Sequence, residues 1–454
     1  MEIASEFAKF TSGLEYADIP HGAVEATKKH MLDLLGVAVA GSTFPEIKEI
    51  VEMVRELGGR ETSTVIAYGG KVSSVDAAMA NGAMANAGEL DDVYDEAPCH
   101  PACTVVPACF AIAEQVKGVS GKELITAVTA GIDIVCRMTL ATRLPAVKSG
   151  WGLTAINGYF GAAASACKIL KLDEDKILNA FGIAYGQASG NIQNIKDGVV
   201  NKGLQPGFAA RGGVLSGLLA QKGITGSKNS LEGQFGLYNL YFGGNYAIGP
   251  LIDDLGKRFE VTKISFKPYA CCRLNHIPLD ATLSLIKEND IQPQGLKEIT
   301  VSVNEDAFLL LCNPIEEKRN PRTLVEAQFS LPYNIALAII QKRHSIKDLW
   351  GSMNNPEVFE MAHKIIPKLI PEMNPKGVQP AIVEIRTNDE KVYSRQVDYA
   401  SGSPQHPIDI VAKFRDCVSL SVRPLPERNI EKVIELMTKL EEVDDVSEII
   451  RLLG

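Results

Sequence analysis

Residues 77–88 read Ala-Ala-Met-Ala-Asn-Gly-Ala-Met-Ala-Asn-Ala-Gly. A run so rich in alanine favours helix, and its small side chains let neighbouring helix backbones approach closely. Residues 161–168, Gly-Ala-Ala-Ala-Ser-Ala-Cys-Lys, repeat the composition. Together they predict a compact helical bundle. A membrane origin for the small residues fits poorly, because Asp91, Asp92 and Asp95 follow the first run directly.

Outward from these runs, apolar residues recur at three- and four-residue spacing over 20–41, 74–88, 103–117, 121–140, 153–170, 174–188 and 206–222, the signature of amphipathic helices. Ser120 with Glu123 has the spacing of a capping box, and Gly223 stops the last of these helices. From about residue 260 the period changes. Leu296–Val303 alternates, with Ile299, Val301 and Val303 on one face. Ala381–Ile385 and Val392–Val397 alternate around the polar turn 387–391 and predict a hairpin. Helical patterns at 278–288, 332–343 and 356–366 lie among these strands, and others return at 407–418 and 427–452. The chain therefore reads as mainly α. A helical domain, 1–260, is followed by an inserted α+β domain, 261–402. C-terminal helices, 403–454, pack back on the first domain.

The bulk numbers agree with a globular protein. The chain has 454 residues, 46% of them hydrophobic and 22% charged, a length for two or three domains. The net charge is −9 with no Lys/Arg block, which argues against nucleic acid as a partner. The opening residues carry no basic segment followed by an apolar one, so no secretion signal is expected. Apolar stretches such as Met31–Gly41 and Ala102–Ala113 fall short of the roughly 18 residues a membrane span needs. Nine cysteines, an odd number without C-x-x-C spacing, suit a reduced cytoplasmic protein without a zinc or iron–sulfur site.

Three polar segments interrupt the apolar pattern. The first, 88–101, holds Glu89, Asp91, Asp92, Asp95, Glu96 and His100 between two apolar helices. Crowded carboxylates hold protons tightly, and histidine exchanges them near neutral pH. A solvated acidic loop is the plainer alternative. The second, 201–213, places Lys202 at a Gly- and Pro-marked turn before an apolar helix, a setting for a carboxylate ligand or simply a loop-to-helix junction. The third, 266–276, gathers Lys267, Tyr269, Arg273 and His276 with Cys271 and Cys272. Its cations suit a polyanion, or face solvent at a domain junction; its cysteines read as packing.

In this order the segments resemble the MmgE/PrpD family. The acidic stretch ends in His100-Pro101. The second segment is similar to the family's Lys-x-Leu-His-x-Gly-x-Ala-Ala, and the third to its Lys-Pro-Tyr-Pro-Cys-Cys-Arg-x-x-His. Residues 185–190, 231–233, 312–314 and 326–333 match further stretches, so the resemblance runs over roughly 5–420. It implies a large helical domain with a smaller α+β lid, a homodimer, and catalysis on small di- or tricarboxylates without metal or organic cofactor. The resemblance places His100 and His276 at proton-transfer positions, with Asp91 orienting a catalytic group and Asp92 beside it. Lys202 and Arg273 hold substrate carboxylates, with Glu89 and Tyr333 in the binding set. The activity it implies first is a lyase of the 2-methylcitrate dehydratase type. An epimerase or isomerase, a decarboxylase, and a non-catalytic homologue are the alternatives. Several positions depart from the family pattern: Val93 replaces a threonine, Glu89 an aspartate, Gln205 and Gly152 histidines, and Ala270 a proline. They put the exact substrate in question.

Overall fold

The computed structural model describes residues 2–143, 146–374 and 377–454. The alanine-rich run forms helix Ser74–Ala87, whose N-cap Ser73 accepts the Asp76 N–H. It is buried on nearly every side. Helices His21–Gly41, Pro45–Leu57, Ala102–Val116 and Asn201–Gln221 pack around it. Glycine makes the closest of these approaches possible. A Cβ on Gly41 would lie 1.9 Å from the Met84 carbonyl oxygen, and one on Gly207 would lie 2.5 Å from the Met79 carbonyl oxygen.

Helix Gly121–Ala141 is long and apolar enough to cross a membrane by composition, more so than the stretches singled out in the sequence. It is nevertheless a core helix, almost wholly buried. Its two buried charges satisfy each other: Arg137 Nε donates to Asp133 at 2.6 Å. The guanidinium also donates to the carbonyls of Pro250, Asp253 and Arg258, which ties down the chain leaving the helical part.

A four-stranded sheet stands in the second half of the chain. Strand Leu296–Val303 pairs in parallel with Ile365–Leu369 and antiparallel with Ala381–Thr387, which in turn pairs with Val392–Val397 as a hairpin. Ile299, Val301 and Val303 face inward. Helices His276–Glu288 and Leu331–Gln341 cover the sheet. The apolar cluster they build draws only on residues between Cys271 and Ala400 for its buried members.

Two elements differ from their sequence patterns. The helix expected over 356–366 ends at His363, and Ile365–Leu369 is an edge strand instead. Ile365 and Ile366 fit either period, and Pro367 is tolerated because an edge position needs no donor on its outer side. The helix expected over 427–452 breaks into Glu427–Thr438 and Ser447–Leu452, with Asp445 accepting the Ser447 N–H to restart it.

The sheet-bearing segment leaves and rejoins the helical part at one place, where the Phe266 N–H donates to the Gly402 carbonyl at 2.9 Å. Helix Ile410–Val418 then lies on helix His21–Gly41. Lys413 fastens it there, with Nζ 2.7 Å from Asp33 and 2.9 Å from the Leu90 carbonyl.

Candidate active site

The acidic segment is not a solvated loop. Glu89, Asp91 and Asp92 are each at most 1% exposed, so each must find a partner inside the protein. The chain turns sharply at Glu89, whose φ is +51°. It then runs through a two-residue ladder of Val93–Tyr94 with Ile264–Ser265 before reaching His100 and helix Ala102–Val116. This ladder brings the first and third polar segments together.

Each buried carboxylate has its own cation or donor. Lys267, fully buried, donates to Glu89 Oε2 at 2.9 Å and to the Glu89 carbonyl at 3.2 Å. Lys202 Nζ contacts the other Glu89 oxygen, so this one carboxylate holds two lysines. Asn86 donates to Asp91 Oδ2 at 2.7 Å and accepts from Lys202 at 2.9 Å. Asp92 Oδ1 accepts the Ala102 N–H at the helix start, and Oδ2 lies 3.2 Å from Nδ1 of His30. Asp95 receives Nε and Nη2 of Arg273 at 3.0 and 2.9 Å, a bidentate pair across the two halves of the chain.

His100 sits at the edge of this network. Its Nδ1 is 2.7 Å from the Asp92 carbonyl oxygen. A carbonyl only accepts, so Nδ1 carries the proton and Nε2 keeps its lone pair. Thr154 fixes the backbone by accepting the His100 N–H at 3.0 Å. Burial pushes the His100 imidazole down from its ordinary value, opposed by Asp91, whose Oδ2 is 3.6 Å from Nδ1. Burial and the neighbouring Lys267 push the Lys202 ammonium well down, with Cys272 working against that shift.

A cavity of about 290 Å³ opens between the helical part and the sheet-bearing segment. His100, Lys202, Arg273, Asn86 and Cys272 line it, as do Gln205, Trp151 and Leu310. One imidazole with a free lone pair, one ammonium and one guanidinium facing a common space can bind carboxylates and move a proton.

The expected site residues divide into three groups. His100, Lys202 and Arg273 reach the cavity. Asp91, Asp92 and Glu89 stand behind them and hold them. His276 and Tyr333 are not on the cavity wall. His276 is fully buried behind Arg273, with Nδ1 3.3 Å from Nη1 and Nε2 3.2 Å from the Cys271 carbonyl. Arginine only donates and a carbonyl only accepts, so both ring nitrogens are engaged. Burial and the Arg273 charge hold this imidazole well below its ordinary value. Tyr333 belongs to the core under the sheet, where its hydroxyl donates to Ser352 at 2.9 Å.

Sequence reasoning passed over Asn86, His30 and Thr154, and it gave Asp95, named in the acidic segment, no role. Asn86 left a signal, an amide in a run of alanines. His30 and Thr154 gave none, because their partners lie far away in the chain. All nine cysteines are buried thiols, and burial pushes those of Cys271 and Cys272 up, in keeping with packing. Among the described residues no three His, Cys, Asp or Glu side chains are grouped to hold a metal ion.

Residues 5–248 match the MmgE/PrpD N-terminal domain, and residues 269–439 match the MmgE/PrpD C-terminal domain. The chain belongs to the MmgE/PrpD family. Among family members, a cis-aconitate decarboxylase of Aspergillus terreus is 30% identical over 477 residues, covering 100% of this chain and 96% of that protein. A cis-aconitate decarboxylase-like protein of Aspergillus oryzae is 27% identical over 443 residues, covering 87% of this chain and 91% of its own. Human cis-aconitate decarboxylase is 24% identical over 468 residues, covering 99% and 94%.

Two departures from the MmgE/PrpD motifs meet in space. Gly152 and Gln205, both on the cavity wall, stand where histidines are frequent. A Cβ on Gly152 would lie 3.3 Å from Gln205 Oε1 and 3.1 Å from the Asn191 nitrogen. Gln205 is itself committed to Asn191, accepting its N–H at 3.0 Å and donating to its carbonyl at 3.1 Å.

Proposed function

We propose that this MmgE/PrpD protein is a carboxy-lyase, removing carbon dioxide from a small unsaturated polycarboxylate of the cis-aconitate kind. The observation that carries this is end-to-end similarity to proteins named as cis-aconitate decarboxylases. The dehydratase expected first from the motifs gives way to the decarboxylase alternative for that reason.

In such a reaction a carboxylate one carbon from an alkene leaves as carbon dioxide. Its electron pair moves through the double bond toward a second carboxylate, and the far alkene carbon takes a proton. Fixed cations beside the second carboxylate stabilise that charge, an effect of about 3–4 kcal/mol for one well-placed group. In this reading Lys202 and Arg273, which line the cavity, supply those cations. His100 takes up a proton at Nε2 as the anionic substrate enters, helped by Asp91, and returns it to carbon. His276 accepts from Arg273 and so positions the guanidinium. Residues 261–402 act as a lid, bringing Arg273 over the site.

We propose further that the protein works without a cofactor, in the cytoplasm, as a homodimer. Its reduced, buried cysteines suit that compartment. Phe235 and Leu240, 73% and 62% exposed, offer apolar surface to a second copy.

The test is proton NMR of the purified protein with cis-aconitate in deuterated water. A decarboxylated product carrying one deuterium, lost in His100→Ala, is the expected result. Water loss from 2-methylcitrate with no reaction of cis-aconitate returns the dehydratase, and exchange without net reaction favours an epimerase.

A further inference from the structure

The cavity wall is more apolar than a tricarboxylate needs. Leu140, Val147, Trp151, Ile192, Leu274 and Leu310 line it, and each is only partly buried, so each leaves apolar surface toward a ligand. Trp151 is a fixed panel. Its indole N–H donates to the Tyr241 carbonyl at 2.8 Å, and its ring stacks on Tyr241 with centroids 4.5 Å apart and planes 9° apart.

The charges point the same way. Among the described residues, the cations of this wall are Lys202 and Arg273, and each already meets a carboxylate, Glu89 or Asp95. Another carboxylate, Glu96, stands in the wall, with Lys263 Nζ 3.5 Å from it. Gln205 spends both ends of its amide on Asn191. Val93 presents only methyl groups. Two substrate carboxylates have chemical tasks, one as the leaving group and one as the electron sink. A third would be partly desolvated against leucine and tryptophan, where the wall offers the neutral amides of Asn191 and Asn194 in place of a further cation.

We infer that the substrate is a small unsaturated dicarboxylate whose third substituent is an alkyl or aryl group. This rests on the carboxy-lyase proposal for the two carboxylates and on the apolar wall for the third group. The bond to one carboxyl carbon breaks, its pair shifts through the alkene, the far carbon takes a proton from His100, and carbon dioxide departs. The apolar group takes no part in the bond changes. It fills the wall.

Calorimetry with saturated, unreactive probes tests this on the full chain. Tricarballylate is glutarate with a carboxylate on its middle carbon; the comparison compounds carry methyl, butyl or phenyl there. Each buried methylene adds roughly fourfold in affinity, so the butyl compound should bind at least about tenfold more tightly than the methyl compound, and more tightly than tricarballylate. Leu310→Lys, or Ile192→Lys on a separate segment, should reverse the order in favour of tricarballylate. Tighter binding of tricarballylate by the unsubstituted protein overturns the inference, as does an order that neither lysine variant changes, or no binding by any probe. Carbon dioxide release is read separately, from cis-aconitate and from glutaconates with the same alkyl groups. No release from any of them sinks the carboxy-lyase proposal while an alkyl preference in binding still stands. Release with cis-aconitate clearly preferred sinks the alkyl substituent alone.

Discussion

His276 stands directly behind Arg273, with Nδ1 3.3 Å from Nη1 and the opposite nitrogen 3.2 Å from the Cys271 carbonyl. The imidazole therefore props the guanidinium while Asp95 grips its other edge. His276→Ala removes that prop and leaves the groups on the cavity wall chemically unchanged. kcat/KM should fall by about tenfold, the loss of one charge-assisted hydrogen bond, with the pH profile unmoved. A shift of a pH limb in steady-state kinetics would instead make His276 a proton carrier.

His100 must be protonated to deliver its proton. Burial lowers its pKa, so the protonated fraction falls away at lower pH than for a free imidazole. The prediction is a kcat/KM that decreases as pH rises, with a midpoint below about 6.5. Asp91→Asn removes the carboxylate that favours the charged ring, so it should move the midpoint lower still. A profile flat across this range, or one moving upward in Asp91→Asn, would remove His100 from the acid role.

Lys267 is fully buried against Glu89, with Asp91 Oδ1 4.0 Å away. Lys267→Met leaves two carboxylates in the interior with too little positive charge. Denaturant unfolding should show a loss of about 3–5 kcal/mol, the usual consequence of breaking a buried pair. Adding Glu89→Gln should recover part of it, because the stranded charge is then gone.

Gly207→Ala tests the helical packing without touching the site chemistry. Its methyl would lie 2.5 Å from the Met79 carbonyl oxygen, backbone that has no room to yield. A stability loss of about 1–3 kcal/mol is expected in thermal unfolding. A neutral result would mean that helices Ser74–Ala87 and Asn201–Gln221 leave room for a methyl group between them.

Tyr333→Phe should leave turnover almost intact and cost about 1 kcal/mol of stability, since the hydroxyl serves Ser352 in the core. A large fall in kcat with unchanged stability would return Tyr333 to the reaction.

Much of the fold was legible in the sequence because its periodicities are local. The alanine-rich run at 77–88, the alternation at 296–303 and the hairpin around 387–391 each depend on neighbours a few residues away. Residues 365–369 were not legible, because Ile-Ile-Pro continues the preceding helical phase until a parallel partner sixty-odd residues earlier captures it. For the site, the motifs supplied His100, Lys202 and Arg273. They could not separate these from His276, which lies three residues after Arg273 but one layer deeper. Motif order says which residues are near, whereas depth depends on how the Cys271 carbonyl and the Arg273 side chain fold around the ring. Asp95, whose partner is 178 positions away, shows the same limit from the other side.

The bond from the Phe266 N–H to the Gly402 carbonyl has a consequence for how the protein is made. The segment it closes off has its own apolar cluster and can collapse as soon as it leaves the ribosome. The helical part cannot, because helix His21–Gly41 is covered by Ile410–Val418, almost four hundred residues later. Until residues 410–418 are made, the nascent chain carries a bare apolar flank that helix Ile410–Val418 then covers. Messages truncated anywhere before residue 410 should give chaperone-dependent fragments, and those truncated in the middle of the sheet the most dependent ones.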